Sequence, residues 1–456
     1  MLAATLLTAG CFGETSHPIR PGDYHRLSAN SDSLPARLSA RSWLRQAHRA
    51  LAPLLPPEGA PPLLTEDMID SNGRPIDVLK HFGLRRGDLE KLSGNCSGLS
   101  HTAQLAGSDF VGGAAPHWPG FDPVWVPVND RISLFGLMGH AVNERGETRE
   151  ADCIVILPGI LGHTDISRTR DLAAAFVQNG YHALAIELRG HGQTDMRYPD
   201  VYYTFGTLET DDLMAVSEWL TAQPQVRRTG LIGFCWGANH ALLCAWEDGR
   251  PEHHASISPR LVPYLRPRNG RRHYEAGIMA FSPTLRFEEI IDGLDVDRAG
   301  VEYPVQANLQ VTIETRVAHK RHDRFSGFDA RACPGSLRKL IDYEFTRSEL
   351  KYPECVADGL RFMRFLPYNG LEDGWKLRDA RVPVLIVQGA NDPLACAQDV
   401  ADLIARCNNP NVAALILPGG GHVGFAAYAR PCYFSLILNF FDPGLGPRAV
   451  SSFAAD

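Results

Sequence analysis

Predominantly apolar segments alternate with helix-like segments through the middle of the chain. Residues 153–157 are apolar throughout and residues 182–188 are largely so, and between them residues 171–179 carry apolar positions at helical spacing before Gly180. An entirely apolar run is typical of a strand that is buried on both faces, and strands joined by helices usually pair in parallel. This rhythm predicts an α/β fold with a mostly parallel, doubly wound sheet that helices cover on both faces.

The same pattern extends the sheet in both directions along the chain. Further strands are predicted at residues 124–128, 132–140, 278–281, 384–387 and 412–417, and further helices at residues 211–220 and 432–441. Between residues 284 and 376 the alternation of strand-like and helix-like segments ends, and aromatic residues are dispersed through the sequence. An insertion of this size between strands of one sheet predicts a helical cap over the site, and most of its aromatic residues are expected to pack within the cap itself.

The chain therefore divides into parts of different character. Residues 1–60 are predicted to be a signal-like segment and a tether with one helix at 39–51, residues 61–120 an N-terminal extension of unknown role, residues 121–283 and 377–443 the α/β core, and residues 284–376 the cap insertion. The tether prediction rests on the high content of Pro, Ser, Arg and Ala and on the cluster of prolines that ends the stretch, the first of which stops the helix.

Residues 229–242 carry the most specific chemical pattern of the chain. Gly233, Cys235 and Gly237 form a Gly-x-nucleophile-x-Gly sequence between a predicted strand and a predicted helix. Such a turn strains the backbone of its central residue, and only residues without a bulky side chain fit on either side. A thiol at the first turn of a helix faces unpaired N–H groups and the positive end of the helix dipole, which favour the thiolate. Cys235 is therefore a candidate nucleophile, and the alternative is a small buried thiol.

A carboxylate and a histidine follow the last two predicted strands. Asp392 comes after strand 384–387, and His422 lies in a Gly-rich loop after strand 412–417. Each has a structural explanation when taken alone, because Asp before Pro is common in turns and a loop histidine is usually structural. Ligands of such sheets bind beyond the carboxyl ends of the strands, so these side chains are expected to meet Cys235 there.

The three residue types predict a nucleophilic mechanism. His422 would take the proton of Cys235, or hold its thiolate as an ion pair, and would later activate water or another acceptor. Asp392 would orient the imidazole and stabilise its protonated form. The backbone N–H groups of Trp236, the residue after the nucleophile, and of Ile160, in the loop after an earlier strand, would bind the oxyanion.

Several motifs together resemble the α/β-hydrolase superfamily, and within it they look like those of the YheT-like esterases. The motifs are Pro158-Gly159-Ile160-Leu161-Gly162, Arg189-Gly190, Gly233-Phe234-Cys235-Trp236-Gly237-Ala238-Asn239, Asn391-Asp392-Pro393-Leu394 and Gly420-Gly421-His422-Val423-Gly424-Phe425. The resemblance covers about residues 120–443 and implies an α/β-hydrolase fold with the nucleophile, the acid and the histidine in that order. It also implies hydrolysis of carboxylic esters, including short-chain and acylglycerol esters, without a metal or organic cofactor.

One position departs from that family. The family nucleophile is Ser, whereas this chain has Cys235 in a Gly-Phe-Cys-x-Gly elbow that is similar to the elbow of the dienelactone hydrolases. A thiolate acylates readily, but its thioester can favour an acceptor other than water. Three functions stay open: a hydrolase of esters or thioesters that uses a Cys-His-Asp triad and an acyl-enzyme, an acyltransferase on the same site, and a non-catalytic envelope binding protein with an unreactive Cys235.

The net charge and the spacing of the cysteines indicate which classes of binding partner are expected. The 456-residue chain has a formal net charge of -7, which argues against nucleic acid because phosphate binding needs a concentrated basic surface. The basic stretch from Arg260 to Arg272 is interleaved with prolines and is interpreted as a solvated loop. The ten cysteines include no CxxC pair, and His319 and His322 lie among basic residues, so no metal site is expected. The expected partner is a small-molecule acyl ester or a lipid-like substrate.

The first eleven residues differ in kind from the rest. Residues 1–10 are apolar or small, and Leu7-Thr8-Ala9-Gly10-Cys11 resembles the lipobox of a bacterial lipoprotein, in which the cysteine carries the lipid. The positive charge of a signal peptide is missing from these residues. The lipobox interpretation places the protein in the bacterial cell envelope, with membrane anchoring through Cys11, whereas an accidental resemblance would leave it in the cytoplasm.

Overall fold

The computed structural model describes residues 23–24, 39–57, 59–85, 115–164, 166–267, 269–295, 337–367 and 376–441. Nine strands form one sheet within these residues: β1 (Leu63–Leu64), β2 (Phe121–Pro127), β3 (Ser133–Gly139), β4 (Ala151–Leu157), β5 (His182–Ile186), β6 (Val226–Phe234), β7 (Gly277–Phe281), β8 (Val384–Gly389) and β9 (Val412–Leu417). Their order across the sheet is β1-β9-β8-β7-β6-β4-β5-β3-β2. The six strands β9, β8, β7, β6, β4 and β5, which are adjacent in this order, pair in parallel. The strands β1, β2 and β3 pair antiparallel with their neighbours. The prediction of a mostly parallel sheet is confirmed.

Helices cover both faces of this sheet. They are α1 (Ala40–Leu51), α2 (Val78–His81), α3 (Ser167–Gln178), α4 (Gly192–Arg197), α5 (Glu209–Thr221), α6 (Trp236–Gly249), α7 (Phe287–Asp295), α8 (Leu337–Arg347), α9 (Cys355–Met363), α10 (Ala397–Cys407), α11 (Phe425–Tyr428) and α12 (Arg430–Phe441). A Cβ on Gly230 of β6 would press against Phe441 of α12, whereas a Cβ on Gly233 would overlap Gly237 of α6. Strand residues three positions apart point to opposite faces, so α12 and α6 lie on opposite sides, as a doubly wound fold requires.

The central strands end side by side at one edge of the sheet. Phe234 of β6 pairs with Phe281 of β7, which pairs with Val387 of β8. The next residues continue this register, because the Cys235 N–H donates to Phe281 O at 2.9 Å and the Ser282 N–H donates to Val387 O at 2.9 Å. Residues that follow these strands are therefore held together at the edge where such sheets bind ligands.

Helix α1 belongs to the folded core rather than to a tether. Its buried residues are Ala40, Trp43, Leu44, Ala47 and Leu51. The Trp43 ring meets Phe440 of α12 edge to face, with 5.1 Å between ring centroids. The helix predicted at residues 39–51 is present, but its apolar face is buried against the core, which a free tether would not require. Cys11 and the rest of the predicted lipobox lie outside the described residues.

The described part of the predicted cap insertion contains α7, α8 and α9. Phe345 of α8 stacks on Phe205 with 6.3 Å between ring centroids, and Phe287 of α7 meets Trp236 edge to face at 5.6 Å. Both aromatic residues contact the core, and the Phe345 ring also packs against Gly359 of α9, within the insertion. Trp236 follows Cys235 directly, so this part of the insertion packs beside the start of α6.

Candidate active site

Cys235 occupies a sharp turn between β6 and α6. Its backbone angles are φ 56° and ψ -119°, and a positive φ is strained for a residue with a side chain. A Cβ on Gly233 would overlap the carbonyl of Gly237, and a Cβ on Gly237 would overlap the carbonyl of Pro158. Only glycine fits at these two positions, so the Gly-x-Cys-x-Gly spacing is what permits this turn.

His422 and Asp392 meet beyond the ends of β9 and β8. His422 Nδ1 lies 2.9 Å from Asp392 Oδ2 and 3.1 Å from Oδ1, and both side chains are buried. Because an ionised carboxylate can only accept, Nδ1 is the donor, which orients the ring. Cys235 lies close enough to the same ring for its charge to raise the pKa of the imidazole. The structure thus brings together the three side chains that the sequence proposes as nucleophile, histidine and acid.

The surroundings of His422 favour its protonated form. Burial of the ring lowers the pKa, but the negative charges of Asp392 and Cys235, with their hydrogen bonds, act in the opposite direction and raise the pKa of His422 to about 10. The imidazolium is therefore the stable form at neutral pH. An imidazolium next to a thiol is the environment in which cysteine nucleophiles act as thiolates.

The other described cysteines have different surroundings. None of the cysteines in the described ranges forms a disulfide. Burial raises the pKa of Cys407 to about 11 and that of Cys432 to about 12, and it raises the pKa of Cys153 further. These three thiols stay protonated at neutral pH, so reagents that need a thiolate should discriminate against them.

The Asp392 carboxylate is held by donors that the sequence pattern does not single out. The backbone N–H groups of Leu394 and Ala395 donate to Oδ1 at 2.8 and 2.9 Å, and Gln388 Nε2 donates to Oδ2 at 2.9 Å. Gln388 is buried near the end of β8, and its only sequence signal is a polar residue in an otherwise apolar run. Together these donors stabilise the charged carboxylate and aim it at His422.

The loop that carries His422 is held from two sides. Gly421 and Val423 both have positive φ angles, 49° and 55°. The Gly421 N–H donates to Asn391 Oδ1 at 2.9 Å, and the Val423 N–H donates to Ser282 Oγ at 3.2 Å. Ser282 is a buried residue directly after β7, at the edge where the site lies, and that position is the signal by which it could be found. These two bonds fix the backbone on either side of the imidazole.

The loop after β4 lies directly against Cys235. A Cβ on Gly159 would be 3.2 Å from Cys235 Cβ and 3.8 Å from Sγ. Ile160, the next residue, lies in a turn. A hydrogen bond of 3.0 Å from the Gly162 N–H to Gly159 O closes this turn. Trp236 is the first residue of α6, so its N–H has no carbonyl partner within the helix. Both candidate oxyanion donors therefore belong to segments that adjoin the sulfur.

Asn239, one turn into α6, forms hydrogen bonds with Thr284, the first residue of the predicted cap insertion. Its Oδ1 accepts hydrogen bonds from the Thr284 N–H at 2.8 Å and from Thr284 Oγ1 at 3.1 Å, and its Nδ2 donates to Thr284 O at 3.0 Å. At the other side of the helix start, Trp236 Nε1 donates to Phe205 O at 2.8 Å. These contacts tie two neighbouring segments to the helix that follows Cys235.

The remaining candidates of the sequence contribute nothing to this site. Arg260 and Arg266 of the basic stretch form ion pairs with acidic side chains of the same chain. Within the described ranges, no group of three or more His, Cys, Asp or Glu side chains is arranged to hold a metal ion. Nor does any helix of those ranges have the length and apolar character needed to cross a membrane. His319 and His322 lie outside the described residues.

The sequence matches a family model over most of the core. The model described as "Alpha/beta hydrolase family" matches residues 154–432, which is more than half of the chain and includes Cys235, Asp392 and His422. Similar solved structures include the Pyrococcus furiosus esterase Pf2001 (15% identity, 72% of this chain and 95% of that chain covered, TM-score 0.46), Est1E from Butyrivibrio proteoclasticus (12%, 71% and 99%, 0.40) and the proline iminopeptidase of Mycobacterium smegmatis (17%, 71% and 98%, 0.40). No curated protein sequence matches the chain.

Proposed function

The chain belongs to the alpha/beta hydrolase family, and we propose that it hydrolyses carboxylic esters or thioesters through Cys235, His422 and Asp392. The observation that carries the proposal is the buried hydrogen bond between Asp392 and His422, together with the raised pKa of His422, to which the charges of both Asp392 and Cys235 contribute. This arrangement supplies a nucleophile, a proton carrier and an orienting carboxylate in one place. Within the family we also propose the YheT-like branch, with cysteine in place of its serine.

In the first step the Cys235 thiolate attacks the carbonyl carbon of the bound ester, and a C–S bond forms. The carbonyl oxygen becomes an oxyanion, which the backbone N–H groups of Ile160 and Trp236 stabilise. When the tetrahedral intermediate collapses, the C–O bond to the leaving group breaks and the His422 imidazolium donates its proton to the departing alkoxide. The products are an alcohol and an acyl thioester on Cys235.

In the second step water replaces the alcohol. The neutral imidazole of His422 removes a proton from water, and the resulting hydroxide attacks the thioester carbonyl. The C–S bond then breaks, the carboxylic acid leaves, and the thiolate is restored beside the imidazolium. Asp392 keeps a proton on Nδ1 throughout, so Nε2 is the nitrogen that exchanges protons with the reactants.

Burst and steady-state kinetics with p-nitrophenyl acyl esters of increasing chain length test this proposal. The wild type should release p-nitrophenol in a burst of one equivalent, followed by turnover, and the Cys235→Ala variant should lose both. The Cys407→Ala variant is the matched control, because it removes a buried thiol that stays protonated and should keep both phases. The chain length that reacts fastest measures the acyl pocket.

The same assay separates the alternatives. A burst without turnover would indicate an acyl-enzyme that needs an acceptor other than water, which is the acyltransferase function. The absence of burst, of turnover and of Cys235 labelling by iodoacetamide at neutral pH would contradict the proposal and favour a non-catalytic binding protein.

The N-terminal sequence supports a separate proposal about location. We propose that Cys11 carries lipid and anchors the protein in a bacterial cell envelope. Expression in a bacterial host with labelled palmitate should give a labelled wild-type protein in the membrane fraction and an unlabelled Cys11→Ala variant. An unlabelled wild type in the soluble fraction would contradict it.

A further inference from the structure

A buried carboxylate that takes no part in the steps above lies next to the loop that follows β4. Glu187, directly after β5, is 1% exposed. Its Oε1 accepts hydrogen bonds from the Thr164 N–H at 2.9 Å and from Thr164 Oγ1 at 2.8 Å, and its Oε2 accepts one from the Gln193 N–H at 2.5 Å. The Thr194 N–H adds a further hydrogen bond. One side chain thus joins the loop after β4 to the first turn of α4.

Neighbouring residues leave space for the Glu187 carboxylate and fix the backbone around it. Gly192, the first residue of α4, has a φ of 45°, and a Cβ there would overlap the Glu187 carboxylate. Thr194 Oγ1 donates to Glu187 O at 3.1 Å and accepts from the Phe135 N–H at 2.9 Å. Because β3, β5 and α4 all contact this small region, the carboxylate has one fixed place, and whatever binds it is fixed as well.

Thr164 ends the same short loop whose beginning touches the nucleophile. Gly159 lies against Cys235 at the start of the loop, and Ile160, the next residue, supplies one of the two N–H groups assigned to the oxyanion. The start of this loop is anchored by β4, and its end is anchored by Glu187 through two hydrogen bonds to Thr164. A loop held at both ends has little freedom to move its N–H groups relative to the sulfur.

We propose that Glu187 is a positioning residue for the oxyanion: its carboxylate fixes the loop at Thr164 and thereby holds the Ile160 N–H in place. The inference rests on the proposed function, since it requires an oxyanion to form at Cys235. The hydrogen bonds of Glu187 reach the loop and α4 and leave His422 untouched. Glu187 therefore affects the stabilisation of the oxyanion but not the formation of the thiolate.

The Glu187→Gln variant tests the inference. Glutamine keeps the shape but turns an NH₂ donor towards either Thr164 or the start of α4, so one set of donors loses its acceptor. Two reactions of Cys235 are compared: the p-nitrophenyl ester burst, which forms an oxyanion, and alkylation by iodoacetamide, which forms none. We expect the acylation rate constant to fall about 10- to 100-fold, as for a misplaced oxyanion donor, and the alkylation rate constant to stay within about 2-fold.

Asp152→Asn is the matched control for this change. Asp152 is also a buried carboxylate, but it binds Arg227 and Arg228 at the amino end of β4, the opposite edge of the sheet. Its replacement should lower the melting temperature and leave both rate constants unchanged. A second variant, Thr164→Val, keeps the volume and the backbone N–H but loses the hydroxyl hydrogen bond, so its acylation should fall selectively but less.

Three results would overturn the inference. Unchanged acylation in a folded Glu187→Gln variant would contradict it, and so would equal losses of acylation and alkylation, which indicate a general disturbance of the site. If Glu187→Gln does not fold, unchanged acylation in Thr164→Val would contradict it instead. Failure of the proposed function would be recognised separately, because the wild type itself would then give no burst.

Discussion

Replacing Asp392 by Asn should remove the proton from His422 at neutral pH. Burial alone lowers the pKa of the imidazole, the charge of Asp392 is the largest effect that raises it, and the charge of Cys235 is the next. Asn has nearly the same shape but no charge. Without the carboxylate, the pKa of His422 should fall from about 10 towards its ordinary value of 6.5.

The size of the effect follows from this shift. At pH 7.5 a histidine with a pKa of about 10 is almost fully protonated, whereas one with a pKa of 6.5 is about 9% protonated. The population of imidazolium beside Cys235 should therefore fall about 10-fold or more. In free energy the shift corresponds to about 5 kcal/mol of differential stabilisation of the two protonation states.

The assay is the rate constant for alkylation of Cys235 by iodoacetamide between pH 5 and pH 10, read by peptide mass spectrometry. We expect alkylation of the variant to be about 10-fold slower at pH 7.5, because fewer molecules carry the imidazolium beside the sulfur. Asp399→Asn is the control, because Asp399 is a buried aspartate that pairs with Arg286 instead of a histidine. A folded Asp392→Asn variant with the wild-type pH profile would refute the reasoning.

Three further predictions concern His422, Gln388 and Trp43. The raised pKa of His422 contributes stability that is complete below pH 6.5 and is lost as the pH rises through about 10, so the urea midpoint should fall more over this range in the wild type than in His422→Gln. Gln388→Leu removes the Nε2 donor to Asp392 and should lower kcat about 10-fold at an unchanged KM in steady-state ester hydrolysis. Trp43→Ala should cost about 3–5 kcal/mol in urea unfolding and leave the burst amplitude unchanged, because α1 packs on α12 away from Cys235.

Strands that are apolar at almost every position are the most predictable part of this fold. β9 (Val412–Leu417) has the predicted bounds, and β4 and β8 differ from the prediction only at their ends, because a strand buried on both faces has no polar face to obscure it. Helix starts are less predictable. Helix α3 begins at Ser167 rather than at residue 171, because its first turn is polar and has no side-chain cap that would mark it.

The candidate triad is predictable because each member follows a strand in a recognisable loop. Glu187, Gln388 and Ser282 stand in similar positions at strand ends, yet a polar residue there is more often exposed than buried. Only the packing of distant segments shows that these three are buried and bonded to the site. The position of α1 could not be predicted for the same reason. One apolar face in a helix sequence does not reveal which surface the helix covers.

Mass spectrometry after a brief reaction with p-nitrophenyl acetate tests the central claim most directly. We expect the wild type to gain one acetyl group on the peptide that contains Cys235, to lose it with hydroxylamine as a thioester does, and Cys235→Ala to gain none. An acetyl group on another residue, or turnover by Cys235→Ala at the wild-type rate, would contradict the assignment of Cys235 as the nucleophile.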